Sequence, residues 1–77
     1  MNFPENLKKF RLSMNMTQKR MAGILGITER GYRNYELGRN QPNLNDLVKI
    51  ADALGVSLDI LVGREFPKAE NTLVDLE

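Results

Sequence analysis

The 77-residue chain has no cysteine and no histidine. Without cysteine it has neither a disulfide framework nor a thiolate metal site. Without histidine it lacks the usual general base and the usual zinc ligand. No apolar run approaches the roughly 20 residues a membrane-spanning helix needs. The first residues show no signal-peptide pattern. The expected compartment is the cytoplasm, with no membrane partner. No paired carboxylates sit in a rigid pocket, so an enzyme is the least expected class. No catalytic residue, metal ligand, cofactor or small-molecule effector is assigned.

What is present is unevenly placed. Residues 1–40 hold eight Lys/Arg and three Asp/Glu, a net of +5, and residues 41–77 hold three and seven, a net of −4. The near-neutral total of +1 hides this division. A polyanion is drawn to the first half. The plain alternative is chance scatter in a short chain.

A chain this short makes one small domain, burying roughly 60% of the surface that its unfolded form exposes. Leu7, Phe10, Arg11 and Met14 recur at helical spacing, with Pro4 suited to a first turn. Thr17 is a good N-cap for a second helix that turns Met21, Ala22 and Leu25 inward. Gly26 stops it and Ile27 plugs the turn. Thr28 caps a third helix with Tyr32 and Tyr35 on its inner face. Gly38 and Pro42 shape a loop. Asn43 caps a fourth helix whose apolar stripe is Leu44, Leu47, Ile50, Ala51 and Leu54, and Gly55 ends it. Ser57 caps a short fifth helix holding Leu58, Leu61 and Val62, and Gly63 ends that one. Met14, Met16 and Met21 read as core filler. No strand candidate appears, so the expectation is an all-α five-helix bundle over residues 1–63. Residues 64–77 break the pattern at Pro67 and read as a tail, flexible or dimer-associated.

Two short helices meet at Gly26–Ile27, and the second carries Arg30, Arg33 and Asn34 beside two tyrosines. That is a helix-turn-helix pattern. Arg11, Thr17–Gln18, Met21–Ala22, Leu25–Gly26–Ile27, Tyr35–Glu36, Gly38, Pro42, Leu47, Ala51, Leu54–Gly55–Val56 and Leu58 stand in order. Through these residues the chain resembles the XRE/Cro helix-turn-helix family, which includes the lambdoid phage repressors, from about Leu7 to Gly63. The resemblance implies a lambda-repressor-like five-helix domain whose third helix lies in the major groove of duplex DNA. It also implies that Arg11 pairs with Glu36. Arg11 shares a stripe with Leu7 and Phe10, where an unpaired charge is costly, and its fork suits a carboxylate. The plain alternative is that Arg11 snorkels to solvent.

Glu29, Arg30, Arg33 and Asn34 lie on the faces of the third helix that the tyrosines leave free and form the candidate base-contacting set, and the resemblance points to Glu29, Arg30 and Asn34 among them. Arg matches guanine O6 and N7, and Asn matches adenine N6 and N7. Arg30 is the first choice and Asn34 the second. Glu29 either accepts from cytosine or merely suits a helix N-terminus. Arg33 reads more readily as a phosphate clamp than as a base reader. Phosphate contacts are expected from Thr17, Gln18, Lys19 and Arg20. Cations at a helix start oppose its dipole, and many relatives carry acidic residues at the positions of Lys19 and Arg20. A merely solvated basic face is the alternative. Arg39 and Asn40, with Gln41, either flank the backbone or form an ordinary polar loop. Gly31 costs about 1 kcal/mol relative to Ala in mid-helix. It either lets the backbone approach the groove or is a tolerated imperfection.

One recognition helix reads only about four to six base pairs, so two-fold dimers on palindromic sites are expected. In the family the contact lies around the fifth helix. That implicates Val56, Leu58, Leu61 and Val62, with Phe66 as an addition. The leading function is a sequence-specific transcriptional regulator, most often a repressor in this family. One alternative is an antitoxin-type regulator using the apolar Leu73, Val74 and Leu76 for a protein partner. Another is a protein-interaction module on the same fold.

Overall fold

A computed structural model describes residues 2–63. Within them the order is α1 (Phe3–Ser13), α2 (Gln18–Leu25), α3 (Glu29–Glu36), α4 (Leu44–Leu54) and α5 (Leu58–Leu61), with no strand among the described residues. Every helix starts on a side-chain cap. Asn2, Thr17, Thr28, Asn43 and Ser57 accept from the backbone N–H of Glu5, Arg20, Gly31, Asp46 and Ile60. Each cap satisfies one donor that the helix leaves without a partner, and each is worth about 1 kcal/mol.

The helix ends are closed as carefully. α2 ends on Gly26 at φ 71°, where Ile27 N–H donates to Ala22 O and Gly26 N–H to Gly23 O. α3 ends in the same way on Gly38 at φ 77°, with Arg39 N–H on Asn34 O and Gly38 N–H on Tyr35 O. This paired closure needs a left-handed residue, which glycine supplies without steric cost. α1 ends on Asn15 at φ 57°, a non-glycine residue in that region. Asparagine tolerates it better than most side chains.

The core is Leu7, Met21, Ala22, Leu25, Tyr32, Ile50, Ala51, Leu54 and Leu61, drawn from all five helices, with Phe10, Met16, Ile27, Tyr35, Leu47 and Val56 packed around it. α2 packs chiefly on α3 and on α4, while α1 packs on α3 and α5.

Two expectations are corrected here. Met14 is 50% exposed rather than core filler. α1 stops at Ser13, so the chain turns away at Asn15 before Met14 can complete the stripe. Leu44 is 68% exposed. It occupies the first position of α4, on the edge of a stripe centred on Leu47, Ile50 and Leu54. In α5 Leu58 is 38% exposed, and Leu61 is the only fully buried residue. The four-residue helix is too short to bury a continuous face.

Candidate nucleic-acid interface

α2 and α3 are separated only by Gly26, Ile27 and Thr28, so the turn itself sets their angle. At 3.6 residues per turn, Tyr32, Tyr35 and Glu36 share one face of α3 and Arg30 and Asn34 the opposite one. The burial follows. Tyr32 is buried, Tyr35 and Glu36 are half-buried, and Glu29, Arg30 and Arg33 are exposed. Asn34 is half-buried, and its carbonyl holds the following loop through Arg39 N–H at 3.0 Å and Asn40 N–H at 3.4 Å.

Glu36 anchors the inner face. Arg11 Nε donates to its Oε2 at 2.5 Å and Arg11 Nη2 to its Oε1 at 3.1 Å, the bidentate fork that a carboxylate accepts best. The third arm of the guanidinium, Nη1, donates to Met16 O at 2.8 Å. Tyr32 Oη donates to Glu36 Oε2 at 2.5 Å, and Gln18 Nε2 to Glu36 Oε1 at 3.0 Å. Arg11 is only 7% exposed, yet among the described residues no buried side-chain polar atom lacks a partner. Burial pushes the Glu36 carboxyl up, but hydrogen bonds from Arg11, Tyr32 and Gln18 and the charge of Arg11 outweigh it, leaving the group below its ordinary value. Burial, then the Glu36 carboxylate, pushes the Tyr32 phenol well above its usual range.

The tyrosines meet edge to face, with ring centroids 6.3 Å apart. Tyr35 Oη donates to Asp46 Oδ2 at 3.1 Å, which ties α3 to the first turn of α4. Sequence reasoning placed both rings in the core and missed both hydroxyl partners. Buried phenols need a partner, and that general requirement was the available signal.

The outer face is different. Lys19, Arg20, Arg30 and Arg39 are exposed and make no ion pair among the described residues. Arg33 faces Glu29 one turn back, with Nη2 3.6 Å from Oε2, and its Nε donates to Gln18 Oε1 at 3.3 Å. Gln18 is therefore turned toward α3, half-buried, rather than presented to solvent with Thr17, Lys19 and Arg20. Thr17 Oγ1 accepts from Arg20 N–H, which leaves its own hydrogen to donate. Gly31 lies against the cap. A Cβ there would stand 3.2 Å from Thr28 Oγ1 and 3.9 Å from Ile27 Cδ1, a close approach that a shift of a few tenths of an ångström would relieve.

Among the dimer candidates, Leu61 is 0% exposed and is spent on its own core, so it offers nothing to a partner. Val56 and Val62 are half-buried, Leu58 is exposed, and Ile60, which the sequence did not single out, is 54% exposed. Phe66, Leu73, Val74 and Leu76 lie outside the described residues.

Two helices joined by a three-residue turn, the second locked on its inner face and bearing cations on its outer face, define a helix-turn-helix protein. The chain belongs to the XRE/Cro-type helix-turn-helix family, whose model, described as "Helix-turn-helix", matches residues 7–61. It is 50% identical over 60 residues to the SPbeta prophage-derived HTH-type transcriptional regulator YonR of Bacillus subtilis, covering 78% of this chain and 56% of that protein. It is 45% identical over 64 residues to the cryptic phage CTXphi transcriptional repressor RstR of Vibrio cholerae, covering 83% and 57%. The chain thus spans just over half the length of these curated relatives. A crystal structure of a transcriptional regulator from Listeria innocua matches with a TM-score of 0.76 at 25% identity, over 96% of this chain and 74% of that one. Among the described residues no helix is long and apolar enough to cross a membrane.

Proposed function

We propose that the domain reads double-stranded DNA in a sequence-specific way and that the protein represses transcription by occupying an operator. The observation that carries this reading is the division of α3. Its inner face is fixed by Arg11, Glu36 and the two tyrosines, while Arg30 stands exposed on the other side with Lys19 and Arg20 at the head of α2. A side chain that reads base edges needs that fixed support, and the phosphates need the cations around it.

In this reading α3 enters the major groove. Arg30 pairs with a guanine and Asn34 with an adenine, with Glu29 at the flank. Thr17, Lys19 and Arg20 meet the phosphate at the head of α2, where backbone N–H groups also point. Arg39 and Asn40 meet the backbone on the other side. Two copies bind a palindromic site with recognition helices about 34 Å apart. They meet through Val56, Leu58, Val62 and the exposed Ile60, with Phe66 as an addition. The names of YonR and RstR favour a phage-type regulator.

Selection of bound sequences from random duplex, repeated at several salt concentrations, tests the proposal. The expected outcome is a palindromic consensus and affinity that falls steeply with salt. Binding indifferent to sequence and salt, or capture of a protein partner instead, would overturn it. A particle that sediments as a monomer both free and on DNA would remove the dimer.

A further inference from the structure

Among the described residues Gln18 alone touches both the buried carboxylate beneath α3 and a cation on its outer edge. Its amide has a donor end and an acceptor end. Nε2 donates to Glu36 Oε1 at 3.0 Å, and Oε1 accepts from Arg33 Nε at 3.3 Å. Neither contact can be reversed, because a carboxylate only accepts and a guanidinium only donates. The chemistry of its two partners therefore fixes which way the amide points. Arg33 is held on a second side by Glu29, 3.6 Å from Nη2. Its Nη1 has no partner among the described residues, on a side chain that is about half exposed.

We propose that Gln18 is a positioning residue for Arg33. Held in this way, Arg33 reads a guanine through its Nη1–Nη2 end instead of clamping a phosphate. The proposal rests on the DNA-binding reading above. A phosphate clamp gains less from being fixed, since the several oxygens of a phosphate accept the guanidinium fork from many directions. A base edge rewards two N–H groups already aligned, and a side chain ordered beforehand loses less freedom on binding. The restraint reaches inward as well. Through Gln18, the aim of Arg33 depends on the carboxylate that Arg11 holds. A residue at the start of α2 would then set specificity for a side chain on α3.

Gln18→Met keeps length and packing but removes the amide, and Arg33→Lys keeps the charge but removes Nε and the fork. In the free protein, the Arg33 Nε–Hε resonance should exchange faster with water in Gln18→Met than in the parent. An unchanged resonance would overturn the positioning role, whether or not the protein binds DNA. In selection from random duplex, Gln18→Met and Arg33→Lys should both lose a guanine preference at the same position, on the order of tenfold. The double variant should lose no more than either single one. For Arg33→Lys the dependence on salt should stay as it was, because the charge is kept. A uniform loss across all sequences with the base profile intact would instead make Gln18 and Arg33 phosphate ligands and overturn the proposal. No duplex binding by the parent protein would remove the DNA reading, while the resonance measurement would still decide the positioning.

Discussion

Replacing Glu36 by glutamine changes one atom type in a site where four donors converge on two oxygens. Arg11 Nε and Tyr32 Oη use Oε2, and Arg11 Nη2 and Gln18 Nε2 use Oε1. Glutamine offers one oxygen, and its NH2 would face N–H groups that also donate. The guanidinium of Arg11 would stay buried, its side chain 8% exposed, with no counter-charge. Removing one partner of a buried pair costs about 3–5 kcal/mol. A domain of this size holds about twice that in total, toward the lower end of the usual 5–15 kcal/mol. At about 4–8 °C per kcal/mol, even the lower cost lowers Tm by roughly 12–24 °C. Urea and thermal unfolding followed by circular dichroism measure it directly. A loss below about 1 kcal/mol would refute the reasoning. The triple replacement Arg11→Met, Tyr32→Phe and Glu36→Leu should recover most of the loss, since it leaves neither a charge nor the Tyr32 hydroxyl buried without a partner. The pH dependence has a definite sign. The folded carboxyl is held below its ordinary 4.5, so its contribution is present above the unfolded value and fades as pH falls through the folded one. Glu36→Gln should abolish that part of the acid dependence.

Four further outcomes are expected. Thr28→Ala removes the cap on Gly31 N–H and should cost about 1 kcal/mol, read by urea unfolding. Arg30→Ala should relax preference at one base position by about 1–3 kcal/mol in a competition assay, leaving other positions unchanged. Lys19→Ala should weaken all sequences alike and lower the salt slope by about one, as titrations at several salt concentrations would show. The Tyr32 phenol is raised by burial and by Glu36, so its contribution is full below the ordinary value of 10.0 and is lost as pH rises beyond it. Alkaline unfolding should therefore shift upward in Tyr32→Phe relative to its own neutral stability.

The helix starts were legible because capping is local chemistry. Thr17, Thr28, Asn43 and Ser57 each stand just before a periodic run, and each caps in the structure. Glycine stops were legible for the same reason. The stripes were read less well at their ends. Met14 and Leu44 have the right spacing, but spacing cannot say where neighbouring helices stop covering a stripe. Leu61 had two readings with one sequence signature, core and partner contact, and only packing separates them. The reading of the site was incomplete in a similar way at Gln18. A polar residue at a helix start suits a phosphate, and nothing local shows that Arg33 and Glu36, 15 and 18 residues away, take its two ends.

The polar network under α3 follows from what a recognition helix must leave exposed. α3 has eight residues, too few to be stable alone, and its only large ring-bearing side chains are Tyr32 and Tyr35. Its outer face must remain open to carry Arg30 and Asn34, so it cannot be wrapped by neighbours as α4 is. Apolar burial on one narrow face resists removal of the helix from the core but resists rotation and sliding poorly, because it is non-directional. Directional contacts fix what burial leaves loose. Glu36 ties the C-terminal end of α3 to α1 through Arg11 and to α2 through Gln18, and Tyr35 ties it to α4 through Asp46. Three anchors from three helices determine both the rotation and the axial position of α3. A buried ion pair adds little net stability over an apolar isostere. Its presence here is better accounted for by aim, and this is separable by experiment. Arg11→Met with Tyr32→Phe and Glu36→Leu should keep most of the stability but broaden the selected base profile at several positions at once. An unchanged profile would show that the core alone is enough to aim the helix.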